Sequence, residues 1–134
     1  MEKNKVMMDT SAYSAFLRGN EEIKQAIMEA EEIFLNPVVL GELYAGFVMG
    51  GKEKKNRDIL KDFLSSPRVQ VVALDEETAE RYAVIVAYLQ AQGTPIPTND
   101  LWIAATAMQY GLKLLTTDTH YQKVPQIIAS CCDL

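Results

Sequence analysis

Four carboxylates in this chain stand where they could act together: Asp9, Glu42, Asp100 and Asp118. Asp9 ends the apolar run Lys5–Met8, and Asp118 lies just past the apolar stretch Leu112–Thr116. Asp100 falls in the first turn of an apolar helical stretch, and Glu42 is the one charge in another. Two carboxylates about 5 Å apart repel by roughly 3 kcal/mol at an effective dielectric of 20. They settle by sharing protons or by binding a cation. Oxygen donors without histidine or cysteine among them favour Mg2+ or Mn2+ over Zn2+. A metal held by several carboxylates can generate a hydroxide-like nucleophile and stabilise an in-line phosphoryl displacement, so the chemistry suggested is phosphodiester hydrolysis. Each acid also has an ordinary reading. Asp9 can cap the next helix, Asp100 can favour its own helix dipole, and Asp118 can close an Asx turn. Glu42 is harder to dismiss, because no lysine or arginine lies within a helical turn of it.

The elements that must position these groups centre on residues 98–118. Thr98 or Asn99 can cap a helix that Gly111 ends, and Leu112–Thr116 follows as a buried strand. Upstream, Lys5–Met8 is a first strand, with Thr10 or Ser11 as cap of the helix that Gly19 closes. Asn20 caps a second helix, Ile33–Leu35 is the next strand, and Asn36-Pro37 starts a third helix running to about Met49, apolar enough to be buried. Lys52–Leu64 is amphipathic, Val69–Leu74 is a third strand, and Asp75 caps a helix with Glu76 and Glu77 in its first turn. The connector from Gly93 to Thr98 contains two prolines and is long enough to carry the chain back across a sheet. Ile127–Cys132 is a short last strand. Strands alternating with helices predict a three-layer α/β/α fold with a mainly parallel sheet of about five strands, in one domain over residues 1–134. Right-handed crossovers then set the strand carboxyl ends, and with them the acids, along one edge, where ligands bind.

Bulk properties agree. The chain has 134 residues, 49% of them hydrophobic and 23% charged, which is ordinary globular composition. No apolar run approaches a membrane span, and the N-terminus does not read as a signal peptide. Cys131 and Cys132 are adjacent and too close for a normal disulfide, so a reduced, cytoplasmic protein is expected. The net charge of −5 argues against gripping nucleic acid by bulk positive potential. Setting four of the 18 acids on a metal leaves 14 against 13 basic residues, so the surplus is then a site rather than a surface.

In order and spacing, Met8-Asp9-Thr10-Ser11, Pro37-Val38-Val39-Leu40-Gly41-Glu42-Leu43, Asn99 through Ala107 and Leu115-Thr116-Thr117-Asp118 resemble a PIN domain. The likeness is specifically to the VapC-like ribonuclease toxins of type II toxin–antitoxin systems, and it covers nearly the whole chain. It implies a Mg2+-dependent endoribonuclease in which Mn2+ can substitute, with Asp9, Glu42, Asp100 and Asp118 as metal ligands. It implies hydroxyl support from Ser11 and Thr116, a homodimer, and a cognate antitoxin that covers the acidic pocket.

Two rivals stand beside this reading. One is a phosphatase using Asp9 as nucleophile, although the haloacid-dehalogenase pattern needs a second aspartate where Ser11 stands. The other is a non-catalytic module that takes a basic partner segment into the acidic pocket. Lys52, Lys54, Lys55 and Arg57 are candidate RNA phosphate contacts, with a solvated helix face preferred because acids interrupt them. Arg18 and Arg68 are open between the two. His120 follows Asp118 closely and could assist it, with a surface-loop histidine preferred; Trp102, Tyr13 and Phe16 read as packing, and Tyr44 and Phe47 as core or dimer face.

Overall fold

A computed structural model describes residues 3–131 of the chain. Its sheet has five strands in the order β3-β2-β1-β4-β5, where β1 is Lys5–Met8, β2 Glu32–Leu35, β3 Val69–Val71, β4 Lys113–Thr116 and β5 Ile128–Cys131. Every pairing is parallel, with Met7 opposite Phe34 on one side and Leu114 on the other. The last three residues of each central strand are buried, including Val6, Met7 and Met8, and Leu114, Leu115 and Thr116. Such runs require cover on both faces of the sheet, which the helices supply, giving three α/β/α layers. Chain order runs outward from β1 to β3, then returns to β4 and β5 on the other side of β1. The junction of β1 and β4 is therefore the point where the strand order reverses, the place where open parallel sheets leave a crevice.

The helices are α1 (Thr10–Leu17), α2 (Glu21–Glu29), α3 (Pro37–Met49), α4 (Glu53–Leu64), α5 (Glu76–Gln92) and α6 (Thr98–Tyr110). Asn20 and Asn36 cap α2 and α3 as expected, and Asp75 forms a capping box with Thr78 at α5. Gly111 ends α6 at φ 64°, a left-handed conformation that costs glycine nothing. Asn36 does more than cap. It is fully buried, accepts from the Val39 N–H at 3.0 Å and donates to Thr106 Oγ1 at 2.9 Å, tying the start of α3 to the middle of α6.

Several expectations need correction. Asp9 caps α1, as its ordinary reading allowed and in place of Thr10 or Ser11, since its Oδ1 accepts from the Ala12 N–H at 2.8 Å. Pro97 occupies the cap position of α6, and neither Thr98 nor Asn99 caps it with a side chain. β3 stops at Val71 rather than Leu74, as suits an edge strand with one neighbour. The connector after Gly93 is the bend of a helical hairpin, since α5 packs along α6 with Tyr82 stacked on Trp102 at 4.1 Å. That hairpin as a whole carries the chain from β3 to β4. Helix α3 is not buried throughout: Val39 and Leu43 are, whereas Val48 and Met49 are exposed. Cys132 lies outside the described residues, so the last strand is described only to Cys131 and the Cys131–Cys132 pair is not placed.

Asn36→Ala removes a cap and a buried donor together. It should lower stability by about 2 kcal/mol, read as a fall of roughly 6–10 °C in melting temperature.

Candidate functional site

Asp9 leaves β1 into the crevice beside β4 and is 4% exposed. Its two oxygens are held by hydroxyls. Ser11 Oγ donates to Oδ1 at 2.7 Å, and Thr116 Oγ1 donates to Oδ2 at 2.5 Å. Those hydroxyls are fixed in turn by the chain leaving β4, because the Thr117 N–H donates to Ser11 Oγ and the Asp118 N–H to Thr116 Oγ1. The carboxylate at the end of one strand is thus positioned by the backbone at the end of its neighbour. With three hydrogen bonds in place, counting the Ala12 N–H, Asp9 keeps acceptor capacity directed into the crevice.

Around it lies a cleft of about 280 Å³ lined by Asp9, Glu42, Asp100 and Asp118, together with Thr10, Ser11 and Tyr121. Glu42 reaches it from the second turn of α3. Thr10 Oγ1 donates to its Oε1 at 2.6 Å and Asn99 Nδ2 to its Oε2 at 3.2 Å. The partner that an isolated carboxylate on α3 demanded is therefore supplied by two neutral groups. Asp100 enters from the first turn of α6. Asp118 caps the 3-10 turn Thr119–Lys123, accepting from the His120 N–H at 2.9 Å. The His120 ring sits between those two acids, its Nδ1 at 3.2 Å from Asp100 Oδ2 and 3.1 Å from Asp118 Oδ1. It is not the free loop histidine expected from sequence. Donor atoms of Asp100, Asp118 and His120 lie within 4.8 Å of one another, and Asp9 and Glu42 border the cleft outside that tighter group.

The electrostatics are those of a crowded anionic pocket. Burial pushes the Asp9 carboxyl above its ordinary range, against hydrogen bonds from Thr116, Ala12 and Ser11, and the Asp100 charge adds to the rise. Burial likewise raises Asp100, with Asp118 contributing. The Tyr121 hydroxyl is driven upward by burial and then by Asp9 and Asp100. Among the described residues no lysine or arginine pairs with any of the four acids; the ion pairs of Lys3, Lys5, Lys54, Arg57 and Arg81 lie elsewhere. A cluster of converging carboxylates with spare acceptor capacity and no neutralising cation of its own suits a divalent ion.

Sequence reasoning passed over Thr10, Asn99 and Tyr121 and set His120 aside. The sign it had was His120 standing two residues after Asp118, the spacing of an Asx-type turn that folds the ring back over the acid. Ser11 and Thr116 are both placed on Asp9. Of the candidate phosphate contacts, Lys54 is paired with Asp58 and Arg57 with Glu53, and the Arg57 guanidinium also lies 4.7 Å from the Tyr44 ring centroid. Lys52 and Lys55 are exposed, and none of the four lines the cleft. Arg68 is structural: its Nη1 donates to the carbonyls of Ile27 and Ala30 at the end of α2. Tyr13 and Phe16 pack on Phe63.

Residues 6–127 match the sequence profile of the PIN domain. The chain is 33% identical over 90 residues to Ribonuclease VapC4 of Mycobacterium tuberculosis, spanning 67% of this chain and 69% of that protein. It is 30% identical over 125 residues to Ribonuclease VapC of Rickettsia bellii, spanning 91% and 92%. Among solved structures it superposes on a chain of the DNA-bound VapBC complex from Salmonella typhimurium with a TM-score of 0.82 and 25% identity, covering 94% of this chain and 96% of that one.

The raised carboxyls set a sign for stability. A group whose pKa rises on folding contributes stability below its unfolded pKa and loses it as pH rises through the folded one. In chelator at pH 7, Asp100→Asn should therefore be as stable as the parent or more stable, by up to about 1 kcal/mol. The advantage should shrink as pH falls toward 4, where the parent carboxyl takes up its proton. Melting curves of both proteins across that range check this; a variant destabilised at pH 7 would assign Asp100 to its helix dipole and its His120 contact instead.

Proposed function

The chain is a member of the PIN-domain family, and on that footing we propose that it is a metal-dependent endoribonuclease, the toxin of a toxin–antitoxin pair. The observation that carries the reading is the meeting of Asp9, Glu42, Asp100 and Asp118 on one cleft at the reversal point of the sheet, with no lysine or arginine paired to them among the described residues. The curated relatives named above are ribonucleases.

These four side chains are the ones that would hold a divalent ion, Mg2+ in the first instance with Mn2+ as a substitute. When bound, such an ion would supply positive charge for a scissile phosphate and lower the pKa of a water. The chain's own contribution is orientation. Ser11 and Thr116 lock both oxygens of Asp9, and Thr10 and Asn99 hold Glu42 toward the cleft. Carboxylates fixed in this way would meet an ion and its substrate without reorganising during reaction. The burial of Asp9 and Thr116 keeps bulk solvent from loosening that arrangement.

The partners belong to the same proposal: an RNA substrate, a cognate antitoxin as in the VapBC complex to which the fold is similar, and a second copy of the chain. The exposed apolar end of α3, with Val48 and Met49, supports an interface of one of these kinds. Among the described residues no helix is long and apolar enough to cross a membrane, and a cytoplasmic setting is proposed.

Purified protein free of antitoxin should cleave RNA with Mg2+ or Mn2+ and lose that activity in chelator. Asp9→Asn and Asp100→Asn should each lower the rate by about 100- to 1,000-fold, the scale of removing one electrostatic group from a transition-state site. Asn99→Ala, which frees only one oxygen of Glu42, should cost about 10- to 100-fold. Equal cleavage by all of them in chelator would refute the metal-dependent reading.

A further inference from the structure

The tightest group of donors at the cleft joins two of its lining acids to a residue beside it, and is not all oxygen. His120 Nδ1 stands 3.2 Å from Asp100 Oδ2 and 3.1 Å from Asp118 Oδ1. Its backbone is held as well, because its N–H donates to the same Asp118 oxygen at 2.9 Å. The ring is therefore fixed at both ends of the residue against the acids it faces. Carboxylate oxygens only accept, so Nδ1 carries the proton of these contacts in the absence of an ion. A bound cation would replace that proton, freeing the Nδ1 lone pair for the ion and leaving the proton on Nε2 of a side chain that is 43% exposed. Tyr121 lines the same cleft beside Asp100 and is 1% exposed; its hydroxyl makes no hydrogen bond of full geometry, and burial, with Asp9 and Asp100 close by, holds it in its neutral form. A buried hydroxyl so weakly satisfied is costly. An occupant that brings polar groups, such as a partly hydrated cation, would satisfy it.

We infer that His120 Nδ1 is a nitrogen donor, added to the carboxylates, to the divalent ion of this cleft, and that it tilts the site's selectivity from Mg2+ toward Mn2+ and other first-row transition ions. The inference rests on the reading that the cleft holds a divalent ion. Mg2+ takes oxygen ligands and gives up its waters reluctantly, whereas imidazole nitrogen is a good donor to first-row transition ions. An all-carboxylate cleft would discriminate weakly between Mg2+ and Mn2+. One nitrogen donor, pre-placed by the Asp118 turn, separates them. Tyr121 has the complementary part of closing the floor, offering its hydroxyl to a coordinated water without competing for the ion.

The test uses the full chain with MnCl2 and MgCl2 as probes. Electron spin-echo spectra of the Mn2+-loaded protein should show modulation from a directly bound imidazole nitrogen, and His120→Ala should abolish it. By calorimetry, the same variant should weaken Mn2+ binding by about 10- to 100-fold and Mg2+ binding by no more than about 3-fold. Asp9→Asn serves as a check that the bound ion sits in this cleft, since it should weaken both ions together. If Mn2+ binds and responds to Asp9→Asn but shows no imidazole coupling, the inference about His120 fails and the metal site stands. An equal loss for both ions in His120→Ala has the same meaning. If the parent protein binds neither ion, the metal site and the inference fall together.

Discussion

The carboxylate of Asp9 is held in place by the strand next to its own, and the site is assembled from that bond. Thr116 and Ser11 donate to its two oxygens while accepting from the backbone N–H groups of Asp118 and Thr117. A buried anion is tolerated only where such bonds replace lost water. Because the bonds run between the ends of β1 and β4, they also fix the distance between Asp9 and the turn that bears Asp118. Parallel pairing of Met8 with Leu115 makes that juxtaposition a matter of register, so a slipped strand would dismantle it.

The remaining acids arrive by a different device. Asn36, fully buried, binds α3 to α6 through Thr106, and so sets Glu42 and Asp100 relative to one another before either touches the cleft. The Tyr82–Trp102 stack then anchors α6 within its hairpin. Neutral groups rather than cations hold Glu42, and among the described residues no lysine or arginine pairs with the pocket's acids. Charge left unbalanced in this way is a stored preference for a cation. The cost appears as raised carboxyls at Asp9 and Asp100, both driven first by burial.

Much of this was legible in the residues. Strand runs ending in Asp9 and Asp118, the caps at Asn20, Asn36 and Asp75, and the stop at Gly111 depend on local chemistry that one sequence displays. What was misread depended on neighbours far along the chain. The apolar face of α3 looked like core, but burial is decided by what packs on it, and nothing in the described residues covers Val48 or Met49. Asn99 looked like a helix cap, and instead its amide is drawn 57 residues back to Glu42. His120 looked like a loop residue because its partner Asp100 lies 20 positions earlier, beyond any local periodicity.

The shared hold of these carboxylates on a divalent ion is tested most directly by anomalous diffraction from crystals soaked in Mn2+. A strong peak is expected in the cleft among Asp9, Glu42, Asp100 and Asp118, absent from crystals of Asp9→Asn. A Mn2+-saturated crystal with an empty cleft, or with its ions on surface carboxylates alone, would contradict it.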